Sequence, residues 1–430
     1  MKTNKSSLLF YSLVLLIPSL NYSICVADDT VSVDGRTILL NKQPYHIRGI
    51  CYNTIAKGQT YLDEVDYTNL STDIALMQGA CINTIRTYFP ITDKTVLDAF
   101  ADAGIKIIMG IPGSDPRVVK GPAIINGSYI NYIKTYKNHP AILMWEFGNE
   151  YNYHPEWFSN NISNWYTYLN NAAAAVHLED LAHPVSTAHG DLPDLKARTE
   201  CPNVDVWGMN VYRWDNPETI FNEWEAVSTK PMYLSESGTD SYNNQTNEVD
   251  EESAATAIHN IWLDVNTAKS ICSGITFFEF VDEWWKASGS ASNQDKGGVA
   301  GGYPFDGFGN VEYFGIVDID RNEKKGYKAL KEAYCLAAGN LQGQDNIHSL
   351  TIYPNPTKQN VKVSFHHVTC DQGSVTLLDL HNKIVYTKDI TTTTGANTIE
   401  LYLDDVKPGL YIVKIELRDL VLFKKLEVVR

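Results

Sequence analysis

The segment Ala141-Ile-Leu-Met-Trp-Glu-Phe-Gly-Asn-Glu150 decides the fold. Ile142, Leu143 and Met144 form an apolar run without polar alternation, as a β-strand with no solvent face requires. Asn149 and Glu150 follow at once, and a carboxylate is costly to bury unless something uses it. Outward from this segment the same pattern repeats, short apolar strands alternating with helical stretches. Eight strands are expected at His46–Tyr52, Ile82–Tyr88, Ile105–Gly110, Ile142–Phe147, Pro184–Ala188, Val204–Val211, Met232–Leu234 and Gly274–Phe280. Helices are expected at Asp73–Met77, Thr95–Ala103, Asn161–His177, Thr219–Ala226, Glu252–Lys269 and Lys324–Ala338.

Repeated βα units of this kind indicate parallel strands closed into a (β/α)8 TIM barrel. An early hairpin turning at Asp34-Gly35 would plug its bottom. An open doubly wound sheet would need a glycine-rich phosphate turn after the first strand. Gly49-Ile-Cys-Tyr-Asn-Thr-Ile55 does not supply one. After Ala338 the texture changes. Residues 339–348 read as a polar linker, and 349–430 alternate apolar and polar residues, as in Val361-Lys-Val-Ser-Phe365 and Leu410-Tyr-Ile-Val-Lys-Ile415. This second unit reads as a small all-β, immunoglobulin-like sandwich.

The chain holds 35 Lys and Arg against 51 Asp and Glu, a formal charge of −16, with the acidity diffuse and no basic stripe. That argues against a nucleic-acid or anionic-membrane partner. Its 25 Tyr and nine Trp offer flat apolar faces with polar edges, a surface suited to sugar rings. Lys2 and Lys5 precede the apolar run Leu8–Leu20, and Cys25-Val-Ala27 supplies a small-residue cleavage site. Residues 1–27 are therefore read as a signal peptide and the mature chain as exported. A lipoprotein reading on Cys25 is disfavoured by the bulky Ile24. No later segment approaches the roughly 18 apolar residues of a membrane span. The remaining cysteines are widely spaced with no CxxC pair, which is no zinc pattern. An oxidising compartment permits a disulfide, but buried free thiols fit equally well.

In a barrel of this type the chemistry comes from the C-terminal ends of the strands. Glu150 and Glu236 each close an apolar strand directly before a small or polar turn. Two carboxylates facing across a barrel mouth are what glycoside hydrolysis needs, one protonating the leaving oxygen and the other attacking carbon or activating water. Arg86 and the Tyr212 hydroxyl are placed to hold one carboxylate ionised, and aromatic walls at Trp145 or Trp284 to keep the other protonated. His189, Trp284 and Trp285 also stand at strand ends. The stretch from Lys286 to Glu312, rich in Gly, Ser and Asn, is long enough to cover the mouth, with a disordered insertion as the alternative. Asp318-Ile-Asp-Arg-Asn322 fails as a calcium loop, because Glu323 stands where Gly is needed and Ala329 where the bidentate Glu is needed. No metal and no cofactor is expected.

Trp145-Glu-Phe-Gly-Asn-Glu150, Asn210-Val-Tyr212, Tyr233-Leu-Ser-Glu-Ser-Gly238 and Phe278-Glu-Phe-Val-Asp-Glu-Trp-Trp-Lys286 resemble the large clan of retaining β-glycosidases on (β/α)8 barrels, glycoside hydrolase clan A. Two of its families are nearest: the barrel domain of the β-galactosidase/β-glucuronidase family and the fungal β-1,3-glucanosyltransferase family. Ile38–Gly49 and Tyr313–Tyr327 resemble the openings and ends of those barrels. The resemblance spans about residues 30–338, and with it a catalytic domain over 28–338. It implies Glu150 as acid/base, Glu236 as nucleophile, Asn149 on the sugar 2-hydroxyl, Tyr212 orienting Glu236, Arg86 beside it, and Trp284 or Trp285 as sugar platform. The chain lacks the first family's N-terminal β-sandwich domains and the second family's cysteine-rich tail.

Ile352-Tyr-Pro-Asn-Pro-Thr357, Pro408-Gly-Leu-Tyr-Ile-Val413 and Lys424–Arg430 resemble the type IX secretion C-terminal sorting domain. That implies passage through the periplasm by the type IX machinery, then release or surface attachment. A carbohydrate-binding module is the alternative for this tail. The expected partner of the whole is an oligo- or polysaccharide, hydrolysed as a β-glucan with β-1,3 links favoured. Transglycosylation, or glycan binding without turnover, are the competing readings.

Overall fold

Each of the eight apolar runs forms a strand, and the eight close into a parallel barrel. In chain order the strands are Ile47–Cys51, Thr84–Arg86, Lys106–Ile111, Ile142–Asn149, Val185–Gly190, Val206–Asn210, Met232–Ser237 and Cys272–Phe277. The computed structural model describes residues 29–430 except 62, 64, 114–122, 288–289, 339–349, 368–371, 380–382, 394, 418–419 and 430. The segment 1–27 expected as a signal peptide, with Cys25, the expected linker 339–348 and Cys370 lie outside the described residues.

The hairpin of Val31–Asp34 and Thr37–Leu40 closes the bottom of the barrel. Its Val31 and Ile38 pack in one cluster with Ile47, Ile108, Leu143, Met144, Val206 and Tyr233. Above that plug the interior turns polar, because successive side chains of a strand point to opposite faces. On the fourth strand Glu146 points into the barrel, whereas Trp145 and Phe147 point out and join the core beneath the helices. The expected helices appear with shifted ends, as in Leu70–Gly79 and Ile162–Glu179. Two further helices, Tyr129–Tyr136 and Leu195–Glu200, complete the outer layer, the second capped by Asp194 accepting from the Ala197 N–H.

Cys81 and Cys335 form a disulfide across 254 positions, joining the turn after Leu70–Gly79 to the last helix of the barrel, Lys325–Ala337. Closing so long a loop stabilises the folded chain by about 5 kcal/mol on chain-entropy grounds. Cys51, Cys201 and Cys272 are buried free thiols, and burial pushes each up to about 12. The Asp318 carboxylate is taken up by its own turn, accepting from the Asp320 and Asn322 N–H groups at 2.9 and 2.8 Å. Arg321 reaches out of that turn to Asp73 at 3.0 Å, where the Tyr52 hydroxyl also donates at 2.9 Å. This buried network ties the end of the barrel to its first helix.

The tail is a β-sandwich. A three-stranded sheet of Thr351–Tyr353, Asn360–His367 and Gly395–Tyr402 faces a four-stranded one of Gln372–Leu378, Ile384–Thr391, Gly409–Leu417 and Leu420–Val428, every pair antiparallel. Val361, Val363, Val375, Leu377, Val413 and Ile415 form the core between them. Among the described residues no helix is long and apolar enough to cross a membrane.

Candidate active site

The C-terminal ends of the strands surround a cleft of about 450 Å³, lined among others by Arg86, Tyr88, Glu146, Asn149, Glu150, Glu236, Trp285 and Lys286. Arg86 organises its floor. Its Nη1 meets Glu236 Oε1 at 2.9 Å, its Nε meets Glu146 Oε1 at 2.5 Å, and its Nη2 donates to Asn149 Oδ1 at 2.8 Å. One planar guanidinium thus fixes side chains from two other strands, a task for which its rigid fork of donors is suited. Two phenols complete the surroundings of Glu236. The Tyr88 hydroxyl donates at 2.7 Å and the Tyr212 hydroxyl at 3.3 Å. Burial pushes both phenol groups up, so each remains a protonated donor. Three donors on one carboxylate hold it in one orientation.

Glu150 sits differently. It follows the last residue of the fourth strand in the left-handed region, at φ 55°, a conformation rare outside glycine and concentrated at functional sites. Burial first, and then the nearby charge of Glu236, push its carboxyl up to about 7. Glu236 and Glu150 thus have unlike environments, the first held by Arg86 and two phenols, the second poised to carry a proton near neutrality. Asn149, next to Glu150 in sequence, is bonded to the guanidinium that holds Glu236. Its carbonyl oxygen accepts from Arg86 and, at 3.1 Å, from Asn210, whose own oxygen accepts from Ser235 at 2.7 Å. Among the described residues the Asn149 NH2 group has no partner and is left for a ligand in the cleft.

The structure brings Arg86, Asn149, Glu150, Tyr212, Glu236 and Trp285 together and leaves three expected residues outside. Trp145 is no wall of the cleft. It lies on the opposite face of its strand from Glu146, and its Nε1–H donates to Asp180 at 2.7 Å beneath the helices. His189 is buried edge-on against Trp207, and its Nδ1 is engaged by the Gly190 and Asp191 carbonyls. Trp284 lies under the Lys57 ammonium, 4.0 Å from the ring centroid, away from the cleft lining. Trp285 does line the cleft, its ring 5.3 Å from that of Tyr61.

Several residues of the site were not singled out from the sequence. Glu146 stands inside an apolar run, yet a buried Arg86 demands a counter-charge, and that demand was the available signal. Tyr88 stands two residues beyond Arg86, just past the end of its strand. His154 and Trp157, stacked at 4.0 Å on another wall, follow Glu150 by only a few residues. Lys286 pairs with Glu283 at 2.8 Å and with Glu279, which burial pushes well above the usual carboxylate range.

The stretch Lys286–Glu312 is an ordered flap over its described residues rather than a loose insertion. Val299–Ala300 pairs with Phe308–Gly309, and Asp306 accepts from the Asn244 N–H at 2.7 Å. Asn244 also donates to Asn310 at 2.6 Å. The flap brings Tyr303 to within 5.0 Å of the Tyr212 ring, where its phenol feels the charges of both Glu150 and Glu236.

Residues 31–262, more than half of the chain, match the family model described as glycosyl hydrolases family 2, TIM barrel domain. Residues 351–429 match the secretion system C-terminal sorting domain, which directs export to the cell surface or beyond by the type IX route. The chain is 26% identical over 241 residues to a β-glucuronidase of Sus scrofa, covering 50% of this chain and 34% of that protein. It is 24% identical over 377 residues to the 1,3-β-glucanosyltransferase gas5 of Schizosaccharomyces pombe, covering 79% of this chain and 66% of that one. Among solved structures, a Bacteroides uniformis β-glucuronidase shares the fold with a TM-score of 0.53 at 16% identity, covering 93% of this chain and 48% of the other. The chain spans about a third of the length of the β-glucuronidases it matches.

Proposed function

Because this chain belongs to glycosyl hydrolase family 2 through its TIM barrel domain, we propose that it is an exported retaining β-glycoside hydrolase acting on a neutral β-glucan, with β-1,3 links favoured. The observation that carries the reading is the pair of unlike carboxylates in one cleft, Glu236 held by Arg86 and two phenols and Glu150 raised to about 7. Glu236 attacks the anomeric carbon while protonated Glu150 gives its proton to the departing oxygen. Glu150 then takes a proton from water as that water releases the sugar from Glu236, so configuration is retained. The Asn149 NH2 group would hold the 2-hydroxyl.

The relatives include β-glucuronidases, but the charges of this cleft argue for a neutral sugar. Among the described residues lining it, Arg86 is paired with Glu146 and Glu236, and Lys286 with Glu279 and Glu283. Neither cation is left to receive a uronate carboxylate, which would meet four glutamates instead. The likeness to a 1,3-β-glucanosyltransferase over 79% of this chain supports the β-1,3 linkage. It also keeps transfer to a second sugar as the alternative outcome of the same covalent intermediate. A binding protein without turnover is disfavoured by the presence of both carboxylates and their partners.

Purified protein assayed against β-1,3-, β-1,4- and β-1,6-glucans, mannan, galactan and an aryl glucuronide tests the reading. β-1,3-Glucan should be shortened fastest, and products longer than an oligosaccharide substrate would mark transfer. Turnover of none of them would favour glycan binding. Where turnover is seen, its pH dependence reports on Glu150. The acid must carry its proton, so kcat/KM should fall about tenfold per pH unit above about 7, following the Glu150 carboxyl. A profile flat to pH 9 would contradict the assignment.

A further inference from the structure

Beyond the cleft, on the side of Glu150, two large aromatic rings stand in solvent. Tyr153 is 56% exposed and Trp214 50% exposed. Neither lines the enclosed part of the cleft, and neither is a casual surface residue.

Tyr153 ends the short turn Tyr151–Tyr153 that begins at Glu150, and its N–H donates to the Glu150 carbonyl at 2.9 Å. Its ring packs against Gly190, the last residue of the fifth strand, where a Cβ would come within 2.1 Å of it. Its phenol feels Glu150, Asp191, Arg213 and Tyr303, which places these groups in one neighbourhood.

Trp214 has φ 61°, a left-handed conformation that an aromatic residue adopts only when its surroundings impose it. Two anchors do so here. Its N–H donates to the Gly302 carbonyl of the flap, and its ring borders Gly307, where a Cβ would stand 3.1 Å away. On the other side Arg213 is clamped by Asp191, with a 3.0 Å bond from Nε, and by Glu223 at 2.7 Å. An ion-pair network and a flap contact thus hold an indole half in water, where burial would otherwise be favoured.

We propose that Tyr153 and Trp214 form a stacking platform for the β-linked glucosyl units on the leaving-group side of the scissile bond. Its position follows from the chemistry: the acid stands beside the departing oxygen, so the departing chain runs out past Glu150 and its neighbours. The flat C–H faces of glucosyl rings match exposed aromatic faces, while their hydroxyls stay solvated. The chain is therefore built to act on oligosaccharides rather than on glycosides with small aglycones, and in transfer the platform would receive the acceptor. This inference rests on the hydrolase reading for its direction and stands apart from it in its test.

The test compares kcat/KM for a β-1,3-linked glucose pentamer with that for an aryl β-glucoside. In Trp214→Ala and in Tyr153→Ala the pentamer-to-aryl ratio should fall about tenfold, as for the loss of one well-packed aromatic contact. Trp214→Phe, which keeps a ring in place, should recover most of it. An unchanged ratio in both alanine variants would overturn the platform even if hydrolysis is confirmed. If the wild type turns over none of the glycans, the pentamer is titrated by calorimetry into Glu236→Gln, with and without Trp214→Ala. About tenfold weaker binding in the double variant would uphold the platform while the hydrolase reading falls, and equal binding would overturn it.

Discussion

Replacing Glu236 by glutamine should lower kcat by a factor on the order of 10⁴ or more while leaving the fold and glycan binding nearly intact. The carboxylate is asked to form a covalent bond to carbon, which an amide does not do, so what is lost is the chemical step itself. Stability should change little. Glutamine keeps an oxygen to accept from Tyr88 and Arg86, and Arg86 retains Glu146 as its counter-charge. A smaller variant, Glu236→Gly, should regain turnover of an activated aryl glycoside when azide is added, yielding the α-glycosyl azide, because the anion enters the space of the missing carboxylate. A Glu236→Gln variant with wild-type kcat would remove the nucleophile from this residue.

Arg86→Met is expected to harm both stability and turnover. The guanidinium is 1% exposed and neutralises Glu146, equally buried, and Glu236. Without it, two carboxylates remain in a barrel interior with no cation between them. Breaking a buried pair by removing one partner costs about 3–5 kcal/mol, most of it the penalty of the charge left behind. The midpoint of urea unfolding should fall accordingly, at unchanged slope. Turnover should fall further than in a merely destabilised protein, since Asn149 and Glu236 lose the donor that orients them. Arg86→Lys should restore part of the stability and little of the activity, a point charge being unable to serve three acceptors from one plane. A methionine variant as stable as the wild type would mean that Glu146 and Glu236 find other partners.

Much of this site was legible in the chain because strand ends are where a parallel barrel exposes its polar residues. The run Ile142–Phe147 announced a strand without a solvent face, and Glu150 and Glu236 were visible as charges at the ends of such strands. What stayed hidden depended on which way a side chain points. Trp145 and Glu146 are neighbours, and only the register of the fourth strand sends the tryptophan to the helices and the glutamate into the barrel. His189 and Trp284 were misplaced for the same reason, since proximity in sequence to a strand end does not specify the face. The helix Leu195–Glu200 went unseen because six residues are too few for a periodic pattern to show. The Cys81–Cys335 bond, 254 positions apart, follows from the last helix coming to rest beside the first, which no spacing between cysteines encodes. Tyr88 and Tyr303 approach Glu236 from a strand end and from the flap, and only the closed barrel brings the two together.

The central claim is that Glu236 forms a covalent bond to the sugar, and trapping that bond is its most direct test. The wild-type enzyme is incubated with 2-deoxy-2-fluoro-β-glucosyl fluoride, whose good leaving group allows the first step and whose fluorine slows the second. Intact mass spectrometry should show one added fluoroglucosyl group, and peptide mapping should place it on Glu236. Release of fluoride with no adduct and an α-configured first product would mean single displacement by water. A label on Glu150 or on any other carboxylate would contradict the assignment of roles.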